Sequence, residues 1–155
     1  MDTKLSAVID ESINLELNVA ALYNVFCRSF PEDVDFWWNL VIEENNHAAL
    51  LKSIRDIFIP GDVLPAELIS SSLRDLQNTN ADLMKRIGQY KETPPSREEA
   101  FRVAVQLEQS AGEIHYQRFM KKESDSGVDR VFQRLNRDDK DHAERILSYM
   151  KENNI

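Results

Sequence analysis

Apolar residues return every three or four positions through four long stretches, the spacing of a helix with one face turned inward. In the first, Leu5, Ile9, Ile13, Ala20, Tyr23 and Cys27 share a stripe, with Asp10, Asn14, Asn18 and Arg28 opposite. This predicts a helix over about 5–28. The second covers about 31–58. Pro31 suits a first helical turn, Glu32 and Asp33 suit its positive end, and Ile59-Pro60-Gly61 stops it. The third begins after Pro94-Pro95. There Ser96 and Glu99 have the spacing of a capping box, predicting a helix over 97–121. The residues 123–127 read as a turn, and the fourth helix covers about 128–151.

Residues 59–95 form a long connection between the second and third helices. It contains a further helical stretch, about 65–90, with a weak point at Asn78-Thr79-Asn80. A connection of this length crosses the length of a bundle. The prediction is therefore an all-α protein: a single domain over 1–155, built as a four-helix bundle with one long, partly helical crossover. The chain is also an approximate repeat, 1–58 against 97–152. The wide apolar face of the first helix, with Leu15, Leu17, Leu22 and Val25, asks for cover by the crossover or by a second subunit. A homodimer is expected.

Two segments interrupt this pattern in the same way. Glu43-Glu44-Asn45-Asn46-His47-Ala48 and Asp138-Asp139-Lys140-Asp141-His142-Ala143 each read acid, acid, two spacers, His, Ala. An acid and a His three apart lie on one helix face, one turn from each other. That pairs an oxygen and an imidazole ligand as a transition metal requires. A carboxylate also breaks the apolar stripe of each preceding helix. Glu16 does so in the first; in the third, Glu108 lies among Ala104, Val105, Leu107, Ala111 and Gly112. Burying such a charge is costly unless it is paired or binds metal.

The heights agree. Glu16 and Glu44 are equidistant from the turn at position 30, and Glu108 and Asp139 from the turn at 123.5. Glu113 falls off this level and off this face, and is rejected as a ligand. The expected metal ligands are Glu16, Glu44, His47, Glu108, Asp139 and His142. Four carboxylates balance two divalent ions; without metal they repel, and some hold protons. Glu43 and Asp138 are placed to orient the histidines through their free ring nitrogens.

Composition narrows the partners. Of 155 residues, 42% are hydrophobic and 30% charged, with only four glycines and five prolines. These values suit a soluble helical domain. A net charge of -8 argues against nucleic acid, which needs a basic surface. No basic amphipathic stripe, transmembrane run or leader pattern points to a membrane, and a cytoplasmic protein is expected. The single cysteine, Cys27, excludes an intramolecular disulfide and any Cys-x-x-Cys module. It reads as a small buried hydrophobe.

The order Glu16, Glu44 with His47, Glu108, Asp139 with His142 resembles the ferritin-like diiron carboxylate superfamily, and rubrerythrin's diiron domain in particular. The resemblance covers the four main helices. It implies two iron ions, with manganese or zinc as alternatives, and reaction with hydrogen peroxide or dioxygen. It also implies hydrogen bonding near the iron pair by Tyr23, seven after Glu16, and Tyr116, eight after Glu108. The chain departs from the pattern in three ways. Asp139 stands where the family has Glu, and Ala111 stands where rubrerythrins have an extra glutamate. The rubredoxin module is absent, so turnover needs an external electron donor. His115 suits a proton relay or a core histidine; Trp37 and Phe132 should plug the bundle beyond the site. Two other readings stay open: iron handling or storage without turnover, and a structural bundle whose site is vestigial or filled by zinc.

Overall fold

The computed structural model describes residues 3–57, 66–110 and 127–155. Every element among them is helical: α1 (Thr3–Ser29), α2 (Val34–Ile57), α3 (Ala66–Glu92), α4 (Arg97–Gln109) and α5 (Gly127–Glu152). A 3-10 turn, Pro31–Asp33, joins α1 to α2. The helix expected over 31–58 thus begins in this tighter turn, which satisfies Asp33 N–H on Phe30 O at 3.0 Å. No helix among the described residues is long and apolar enough to cross a membrane.

The long connection holds one unbroken helix, α3, about 40 Å long at 1.5 Å per residue. It lies along α1 and covers the apolar face left over by the site-facing stripe. Leu15, Leu22 and Val25 share one core with Leu76, Leu83 and Ile87. Cover therefore comes from the crossover, and only Leu17 of that face stays exposed, at 36%.

The weak point expected at Asn78-Thr79-Asn80 is not a break. Asn80 is buried, and its amide donates to Glu11 O at 2.9 Å and Glu11 Oε2 at 2.8 Å. Asn18 donates to Asn80 Oδ1 at 3.0 Å. Polar residues that looked like punctuation are the bonds that hold α3 to α1.

Ser96 caps α4 in extended backbone and accepts from Glu99 N–H at 3.2 Å. Only half of the capping box forms, because the Glu99 carboxylate accepts from Tyr90 O–H at 3.0 Å instead. The helix expected over 97–121 ends at Gln109. Ser110 leaves helical backbone at φ -101°, ψ -87°, its N–H bonded three residues back to Leu107 O at 3.2 Å. Its hydroxyl competes for the same carbonyl at 3.5 Å. Residues 111–126 lie outside the described residues, and with them the readings of Ala111, Glu113, His115 and Tyr116. The same holds for the side chain of Phe132.

An aromatic cluster closes one end of the core. Trp37 is 0% exposed and packs on Phe101 at 4.4 Å, Phe26 at 4.9 Å and Tyr23 at 5.5 Å between centroids. Beside it, Asp33 accepts from Arg97 Nε at 2.8 Å, Arg97 Nη2 at 2.7 Å and Tyr149 O–H at 2.8 Å. One buried carboxylate thus ties the first turn to the start of α4 and the end of α5.

Candidate metal centre

Helices α1, α2, α4 and α5 each turn acidic or histidine side chains into a shared interior. Glu16, Glu44, His47, Glu108, Asp139 and His142 are all buried, none more than 7% exposed. They converge as two sets that could each hold a metal ion: Glu16, Glu44, His47 and Asp139, and Glu44, Glu108 and His142. Glu44 belongs to both. All six residues expected from the sequence are therefore brought together.

Each imidazole turns Nδ1 toward the carboxylates. His47 Nδ1 lies 3.2 Å from Glu44 Oε2, 3.6 Å from Glu16 Oε2 and 3.8 Å from Asp139 Oδ1. His142 Nδ1 lies 2.9 Å from Glu44 Oε1 and 3.5 Å from Glu108 Oε2. The two rings stack at 5.4 Å and 19°. Ligands at about 2.1 Å from a metal sit about 3.0 to 3.5 Å from one another, and these donors lie at 2.9 to 3.8 Å, close to a coordination polyhedron's edges, with Asp139 the farthest. Moreover, Glu44 Oε1 and His142 Nδ1 are buried and face each other at 2.9 Å as an ion pair. A shared cation would satisfy both. The donor set fits a transition metal.

The outer nitrogens are held by the acids that precede each motif, but crosswise. His142 Nε2 meets Glu43 Oε2 of α2 at 2.6 Å, and His47 Nε2 meets Asp138 Oδ2 of α5 at 3.5 Å. Each acid faces the histidine of the other helix. Arg145 was not singled out from the sequence. It donates to Glu43 at 2.7 Å. Its spacing of three from His142 was the available signal. Arg145 and His142 hold Glu43 below the usual carboxylate range, although burial opposes them.

Tyr23 reaches from α1 to α4, and its hydroxyl donates to Glu108 Oε1 in a short bond. Burial, with the charges of Glu108 and Glu44, pushes that phenol well above its ordinary value. Burial and the charge of Glu108 push Glu44 up to about 7. Asp139 is likewise raised, by burial and by Glu16, Glu108 and Glu44. Burial alone would lower the two imidazoles, but the carboxylates they face outweigh it. His47 is pushed up to about 11 and His142 to about 12. The imidazoles thus favour the charged form, and Glu44 and Asp139 hold protons more tightly than free carboxyls do.

A cavity of about 30 Å³ reaches Glu16, Glu44, Glu108 and Asp139, with Leu15, Val19, Thr79 and Leu107 as its remaining walls. That is room for a water or an ion. Thr79 and Leu107 also line a larger cleft of about 350 Å³ between α3 and α4, with Asp82, Arg86, Gln106 and Ser110. Cys27 stands apart from the site; it is half-buried, and burial raises its thiol. The chain matches no known protein family, no curated protein and no solved structure.

Proposed function

We propose that this chain is a ferritin-like four-helix bundle whose core holds two iron ions and reduces hydrogen peroxide or dioxygen. The observation that carries this reading is the convergence of six buried side chains from four helices into two donor sets that share Glu44. Two Fe(II) ions would supply the two electrons that cleave the O–O bond of peroxide to give water, or that take dioxygen to peroxide, with an external donor restoring them.

The chain's own residues do the rest. Glu16, Glu44, Glu108 and Asp139 offset the charge of two divalent ions. Glu43 and Asp138 fix each ring by its Nε2 and leave Nδ1 as the ligand atom. Glu43 and Asp138 are each about a third exposed at the side chain, so they also connect the buried imidazoles to solvent protons. Tyr23 holds a proton against Glu108, where a reduced oxygen would need one. The Trp37 cluster keeps water from one end, and the cleft past Thr79 and Leu107 admits a small oxidant.

Anaerobic titration of metal-free protein with Fe(II), followed by mixing with peroxide, tests this. Two tightly bound ions per chain, oxidised faster by peroxide than free Fe(II) is, are expected. A protein that binds no iron, or whose iron is indifferent to both oxidants, overturns it.

A further inference from the structure

Among the described residues, the two donor sets are unequal. The first has three carboxylates and an imidazole, from Glu16, Glu44, Asp139 and His47; the second has two carboxylates and an imidazole, from Glu44, Glu108 and His142. Glu44 and Asp139 hold the same place in the repeated motif, yet only Glu44 serves both sets. Its Oε2 lies 3.2 Å from His47 Nδ1 and its Oε1 lies 2.9 Å from His142 Nδ1. Asp139 is one methylene shorter, about 1.5 Å of bond length. It comes to 3.8 Å from His47 Nδ1 and joins no donor set with His142.

We propose that Asp139 makes the two metal positions inequivalent: the ion at Glu16, Glu44, Asp139 and His47 binds first and stays, and the ion at Glu44, Glu108 and His142 is exchangeable and carries the open coordination place for an outside ligand. This rests on the metal reading above. Four protein donors close a site, whereas three leave a place for water or substrate. The carboxylate charge is also larger at the first position, three against two, which favours a divalent cation there. The second position is nonetheless a ligand site in its own right, because the buried atoms Glu44 Oε1 and His142 Nδ1, 2.9 Å apart, belong to it together with Glu108.

Cobalt(II) is the probe, added to metal-free protein and followed by visible absorption and equilibrium dialysis. Partners outside the coordination sphere alone change affinity ten- to a hundredfold, so a whole carboxylate should separate the two steps by at least about a hundredfold. E108Q should keep the first step and lose the second, and azide should perturb the spectrum of the second ion only. D139E, with its arm restored, should draw the two steps together. Equal binding of two ions by the wild-type protein overturns the proposal. So does a D139E protein whose steps stay as far apart, or an E108Q protein that loses the tighter ion. A wild-type protein that binds no cobalt at all overturns the metal centre itself. Circular dichroism of each metal-free variant separates lost ligands from lost fold.

Discussion

Asp33 has three donors and no solvent to share them with. Arg97 and Tyr149 hold its carboxyl below the ordinary range, although burial opposes them. A depressed folded value means stability that is present above the unfolded pKa, about 3.9, and lost as pH falls through the folded value. D33N removes the charge and leaves Arg97 facing an amide. It should cost about 2 to 3 kcal/mol at pH 7, below the roughly 3 to 5 kcal/mol of a fully buried pair because Arg97 is partly exposed. Urea denaturation at pH 7 and below pH 3 checks both parts: the gap between variant and wild type should close in acid. Tyr23 makes a second prediction. Y23F deletes a hydroxyl that donates to a buried carboxylate, worth about 1.5 to 3 kcal/mol. Denaturation of the metal-free protein should show that loss, and no loss would mean that Glu108 is satisfied elsewhere.

Between elements, α3 shows which parts of the fold were legible. Its periodicity announced a helix, and its amphipathic face matched the uncovered side of α1. The cluster Asn78-Thr79-Asn80 misled because the same residue types break exposed helices and bridge buried ones; burial decides between them, and a linear pattern does not state burial. N80A should therefore loosen α3 on α1, costing about 1 to 2 kcal/mol by leaving the part-buried Asn18 amide and Glu11 carboxylate without this partner. Thermal unfolding would report it, while metal stoichiometry should stay unchanged because Asn80 touches no ligand. The six core donors were legible for a related reason. Spacing along one helix fixes a face, and equal distance from a turn fixes a height. The crosswise service of Glu43 to His142 and Asp138 to His47 was not legible, since it depends on how two helices are rotated against each other. The Asp33 tie escaped notice similarly, as its partners lie 64 and 116 residues away.

At the scale of the whole molecule, two surfaces of behaviour follow from what is left exposed and what is left charged. Among the described residues, the exposed apolar positions include a stripe on α2 of Val34, Trp38 and Ile42, exposed by 41, 51 and 43%. A second copy of the chain would bury it, so W38E should convert any dimer to monomer in sedimentation, and an unchanged dimer would place the contact elsewhere. The charge argument concerns pH. In the metal-free protein His47 and His142 ionise at about 11 and about 12. Raised folded values mean stability present in full below the unfolded pKa of about 6.5 and lost as pH rises toward those values. Glu44, raised to about 7, acts in the same sense: ionising it in the fold costs stability between about pH 4.3 and 7. The metal-free protein should therefore weaken steadily from pH 5 to 8. Metal reverses the slope, because each ligand must lose its proton to bind, and binding strengthens as protons become scarce. The difference in urea midpoint between chelator-treated and cobalt-loaded protein should widen from pH 5.5 to pH 8. A difference that is constant with pH would mean that the ion binds without displacing protons from His47 and His142, and would remove them as ligands.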